Sequence, residues 1–155
     1  MSGAQVAQPE RLHSDAGWPA VHWPLLLSQG TLYAVKGLGM GITTEQGGVV
    51  FHIDSAPLWN LLLANVENLL GGWRGPLAVE VLANGPAVEG LTNGSDARSK
   101  VERLSARGVK FLACSKSLRT HGILSERLLP QVEVVAAGVV HLAVRQLAGW
   151  AYIKP

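Results

Sequence analysis

Cys114 is the chain's only thiol. It stands where the apolar run Val109-Lys110-Phe111-Leu112-Ala113 gives way to Ser115-Lys116-Ser117-Leu118-Arg119. The run predicts a strand and the following segment a short helix, so the thiol falls at a helix start. Unpaired amide N–H groups and the positive end of the helix dipole favour thiolate over thiol there, and Lys116 and Arg119 can add cationic support. The chemistry on offer is nucleophilic attack at neutral pH. The competing reading is a small buried hydrophobe, a common fate of free cysteines, and position alone does not separate the two. A single cysteine also excludes an intramolecular disulfide, a zinc ribbon and a C-x-x-C redox switch.

His52 and Asp54 close an earlier apolar run, Val49 to Ile53. Two-residue spacing on a strand points both side chains to one face, where they could handle protons and approach Cys114. Against this, a histidine in such a run is more often packed in the core, and Asp54 is more often a helix cap. Asn84-Gly85-Pro86 lets backbone come close to a ligand, and the same tripeptide makes an ordinary strand-to-helix turn. Ser115 and Ser117 flank the thiol. His121 is expected on the surface, and His13, His22 and His141 show no ligand spacing, so no metal site and no cofactor is implied.

The elements that would position these groups follow from the pattern. Short apolar runs at 49–53, 77–83, 109–113, 132–135 and 150–153 alternate with helical segments. The first helix carries Leu58, Leu61, Leu62, Val66, Leu69 and Leu70 at helical spacing and stops at Gly71-Gly72. The second opens near Ser95, buries Ala97, Val101 and Leu104, and ends at Gly108; the last runs from Val139 to Leu147. This βαβαβαβαβ alternation predicts an α/β domain of three α/β/α layers around a five-stranded parallel sheet, wired in flavodoxin-like order. Ligands of such sheets sit beyond the strands' carboxyl ends, here at Asp54, Asn84 with Gly85, Cys114 with Ser115, and Ala137 with Gly138.

The chain has 155 residues, 48% hydrophobic and 15% charged, which suits one domain with a real core. A net charge of +2 is too slight to imply nucleic acid as the main partner. Seven basic residues against two acidic ones between Asp96 and Arg119 read as a solvated helix face, and no interleaved aromatics stack bases there. A mean hydropathy of +0.22 with so few charges favours burial against sister subunits. Residues 16–35 carry no charge, yet Trp18-Pro19 and Trp23-Pro24 interrupt any spanning helix. No secretory signal pattern opens the sequence, so a reducing, cytoplasmic setting is expected. Residues 1–46 read as an extension, partly mobile, whose Trp18, Trp23 and Leu25 to Leu27 should pack on the body or a neighbour; residues 47–155 form the domain.

Familiar uses of a doubly wound domain fail on motif. Cys114 to Arg119 is C-x4-R, one residue short of the phosphate-wrapping loop of cysteine phosphatases, and it follows the third strand. No G-x-G-x-x-G follows the first strand, which removes the dinucleotide turn. The response-regulator pattern fails because one carboxylate ends the first strand and Cys114 ends the third.

Residues 48–155 resemble the DsrE/DsrF-like (YchN-like) proteins. The resemblance rests on VVFHID, W-N-x-x-L-x-N-x-x-N-L-L from Trp59 to Leu70, the ANGP turn, FLAC followed by S-x-x-x-x-x-x-G-I, LLPQVEVV, and the ending RQLAGWAYIKP. It implies a compact homo-oligomer, a trimer or hexamer, and persulfide-based sulfur relay on Cys114. Donor and acceptor would be proteins or small thiols. Asn84, Ser115, Ser117 and His52 become pocket candidates by location. The alternative expectation is a non-catalytic ligand-binding or assembly module with an inert cysteine.

Overall fold

The computed structural model describes residues 32–34, 41–43 and 47–155. A short antiparallel pair, β1 (Leu32–Ala34) with β2 (Gly41–Thr43), precedes the body. The other expectations for residues 1–46 lie outside the described residues.

The body is a five-stranded, all-parallel sheet of β3 (Gly48–Ile53), β4 (Ala78–Ala83), β5 (Lys110–Cys114), β6 (Val132–Val135) and β7 (Ala151–Ile153). The α/β class and three-layer architecture are as expected, but the wiring is not. The order is β6-β5-β4-β3-β7, which numbers the sheet strands 4-3-2-1-5, where flavodoxin order is 2-1-3-4-5. The first strand therefore lies beside the second and fifth, and β4 separates it from β5 and Cys114.

One face of the sheet carries α1 (Trp59–Gly72), α2 (Arg98–Ser105) and α3 (Ser115–Thr120), packed in a single cluster around Phe51, Ile53, Leu63, Val81, Leu104 and Phe111. The stripe that α1 buries is Trp59, Leu62, Leu63 and Val66, with Leu58, Leu69 and Leu70 packed against it at partial burial, so of the expected stripe only Leu61 faces outward. Trp59 sets this rotation: its Nε1–H donates to the Ala87 carbonyl at 2.9 Å across the face. The second helix starts at Arg98, later than expected, because Thr92 to Ala97 are taken up by turns, with Ser95 Oγ accepting from the Ala97 N–H.

The opposite face is covered by α4 alone (Gly138–Leu147), over a small cluster of Val50, Leu82, Leu112 and Leu142. This asymmetry follows from the wiring. The connections out of β3, β4 and β5 step toward β6, and only the one out of β6 returns across the other face to β7. Chains leaving β5 and β6 therefore diverge to opposite faces, and the crevice this opens lies at the tip of β5.

Candidate functional site

Parallel register fixes what shares a face. Val50, Glu80 and Lys110 are paired across the sheet with Tyr152, so with two-residue alternation His52, Asn84, Cys114 and Tyr152 all lie on the α4 side. Cys114 ends β5 and is only 5% exposed. It is the residue before α3, and across the crevice the first residue of α4 closes on it: the Gly138 N–H donates to Cys114 Sγ at 3.3 Å. Only a glycine permits this approach without adjustment, since a Cβ there would stand 3.4 Å from Cys114 Cβ and 3.2 Å from Leu82 Cδ2.

Burial pushes the thiol pKa up, but the amide of Gly138, the amide and hydroxyl of Ser117 and the amide of Lys116 together outweigh it and hold the thiol below its ordinary value of 9.0. The Ser117 hydroxyl is itself set by Gly85, whose N–H donates to Ser117 Oγ at 2.8 Å and leaves the serine proton for the sulfur. Gly85 adopts φ +51°, a left-handed conformation that turns its N–H toward α3. Gly85, Ser117 and Lys116 thus lie around the thiol, Lys116 through its backbone amide and not through the cationic support expected of its side chain, which is exposed. Arg119 does not serve the thiol directly; its Nη1 donates to Ser115 Oγ at 2.8 Å, which occupies both of those expected residues with each other.

His52 and Asn84 come together as a row that leads toward the thiol. His52 Nε2–H donates to Asn84 Oδ1 at 3.0 Å, which leaves Nδ1 to accept from the Tyr152 hydroxyl at 2.7 Å. The Asn84 amide is thereby oriented, and its Cβ lies 3.6 Å from where a Gly138 Cβ would stand. Asp54 departs from the expectation of a proton-handling pair near Cys114: with β4 interposed, it pairs with Lys154 at 2.6 Å at the other end of the edge. The Lys154 hydrogen bond is the main cause that holds its carboxyl below the usual range.

Sequence reasoning passed over Gly138 as a donor and Tyr152 as the partner of His52. The glycine after Val135-Ala136-Ala137 was a legible signal of close approach; the tyrosine, one hundred residues from His52, was not. A cavity of about 520 Å³ lies on the other face, against Trp59, Glu89, His121 and Arg127, and Cys114 does not line it. Among the described residues no cluster of His, Cys, Asp and Glu is placed to hold a metal. No helix among them is long and apolar enough to cross a membrane.

Fold and site define a class: an α/β protein that presents one amide-stabilised cysteine where chains diverge at the edge of a parallel sheet. The DsrE/DsrF-like family model matches residues 48–155, and the chain belongs to that family. Among solved structures it is similar to MTH1491, a protein of unknown function from Methanobacterium thermoautotrophicum, with 40% sequence identity and a TM-score of 0.66. That likeness covers 72% of this chain and all of the other. No curated protein matches it.

Proposed function

We propose that the protein is a sulfur carrier in which Cys114 holds the transferred atom as a persulfide. The Cys114 thiolate attacks the outer sulfur of a donor persulfide; the new S–S bond forms as the donor's S–S bond breaks, and the donor leaves as a thiolate. In the second half an acceptor thiolate attacks that same outer sulfur and Cys114 leaves as the thiolate. Each half is an exchange with no net oxidant or reductant, so one cysteine suffices. The observation that carries the reading is the set of amide and hydroxyl donors on Cys114 Sγ, which stabilise it both as nucleophile and as leaving group. Family membership agrees with a sulfur-relay role.

The decisive experiment incubates the full chain with a small-molecule persulfide and measures intact mass. A one-sulfur increment on wild type that disappears in Cys114→Ser supports the carrier; no increment, or an equal one on the variant, removes it.

One observation favours the second reading, a ligand-binding or assembly module with an inert thiol: the 5% exposure of Cys114. Alkylation separates the two, because an inert thiol reacts slowly at neutral pH and titrates at the ordinary value. The carrier reading further includes a homo-oligomer, trimer or hexamer, in a cytoplasmic setting. Its support is the outward stripe of α4, where Val139, Val140, Val144 and Leu147 are exposed, the last by 89%. Light-scattering mass tests it.

A further inference from the structure

The face that α4 turns to the sheet reads Gly138, His141, Leu142 and Arg145, a helical i, i+3, i+4, i+7 stripe in which Leu142 is the one large apolar side chain buried. What the rest of the stripe meets is Glu80, a carboxylate in the middle of β4 that is 3% exposed. Arg145 grips it with both arms of its fork, Nε to Oε2 at 2.8 Å and Nη2 to Oε1 at 2.5 Å. His141 Nε2–H adds a third bond to Oε2 at 2.7 Å. The guanidinium is backed by Trp150, whose ring centroid is 4.4 Å from Cζ.

An apolar interface slides easily, and a bidentate fork does not. Because α4 is rigid and begins on the thiol, whatever fixes its position along the sheet fixes the Gly138 N–H on Cys114 Sγ. Among the described residues, the side-chain anchor of α4 on the sheet that resists sliding is Glu80. Glu80 cannot act on the sulfur by contact. In register it pairs with Lys110, four residues below Cys114 on the next strand, and that separation is roughly 13 Å along the sheet.

We infer that Glu80 is a positioning residue for the reactive thiol, holding α4 through Arg145 and His141 so that the helix start stays on the sulfur. The inference rests on the reading of Cys114 as a working thiolate. It carries an opposite sign from simple electrostatics. Loss of a negative charge near a thiolate favours ionisation, whereas loss of a clamp withdraws the Gly138 N–H and disfavours it.

The test is the pH dependence of iodoacetamide alkylation at Cys114 in full-length wild type, Glu80→Gln and Arg145→Lys, the last keeping the charge but losing the fork. Wild type is expected to titrate below the ordinary thiol value. In Glu80→Gln the thiol ionisation constant is expected to fall about threefold or more, the loss of part of one charge-assisted bond, with a smaller fall in Arg145→Lys. The Gly138 amide resonance is expected to follow the Cys114 titration in wild type and to cease doing so in Glu80→Gln. If that variant does not fold, Arg145→Lys with the same resonance decides the matter. A wild-type thiol at the ordinary value removes the thiolate reading itself. A lowered wild-type thiol that the variants leave unchanged, or lower further, overturns the clamp alone.

Discussion

Ser117→Ala isolates one donor on the sulfur. The hydroxyl accepts from the Gly85 N–H at 2.8 Å and faces Cys114 with its proton, so the alanine removes one bond to the charged form and leaves the other three donors in place. A hydrogen bond to a charged group contributes about 1.5–3 kcal/mol. At a half-buried serine with neighbouring donors that can compensate, the lower end applies, about 1.5 kcal/mol, or a fall of about tenfold in the thiol ionisation constant. Reactivity does not fall by the same factor. A more basic thiolate is intrinsically more nucleophilic, and with a Brønsted coefficient of about 0.4–0.5 it regains about threefold. Alkylation of Ser117→Ala should therefore be about threefold slower than wild type at pH values below both titrations and about threefold faster on the alkaline plateau. The two rate profiles must cross. A change of access alone would move the whole profile up or down, and coincident profiles would refute the role given to Ser117.

Stability should respond to pH through the same thiol. Its native pKa lies below the ordinary 9.0, so the thiolate's contribution to folding is complete above about 9 and is lost as pH falls through the lowered native value. Urea unfolding of wild type against Cys114→Ala should show a stability difference that grows with rising pH up to about 9; a difference that is flat or shrinks contradicts the lowered thiol. Gly90→Ala tests the packing that sets the rotation of α1. A Cβ there would lie 1.9 Å from Trp59 Nε1, so the indole must move and give up its bond to Ala87. Overpacking and a lost buried hydrogen bond together should cost about 3 kcal/mol or more, and a variant within about 0.5 kcal/mol of wild type would show the indole to be free to yield.

Strands β3 to β7 and their helices were legible because each apolar run is short and separated from the next by a segment of different period, and all but the run at 132–135 adjoin a Gly or Asn. The facing of α1 was legible except at Leu61. Leu61 and Leu62 are both leucines, and the choice between them falls to Trp59 meeting Gly90 and Ala87, thirty residues away. Strand order was not legible, since β3 is equally apolar beside β4, β5 or β7. The site was half legible: Cys114, Ser117, Gly85 and Gly138 stand at strand tips that the pattern marks, whereas the bond from Gly138 to the sulfur and the approach of Tyr152 to His52 come only through the crossover from β6 to β7. Glu80 sits within an otherwise apolar run, and its partners lie more than sixty residues further on.

Local pattern alone determined that this protein is a parallel α/β domain with its single thiol at a strand's end, because periodicity and turn residues act over a few neighbours. Tertiary structure decided what surrounds that thiol. Which amides face the sulfur depends on the side to which each chain departs and on how far along the sheet α4 is held, and both are set by pairings between segments distant in sequence.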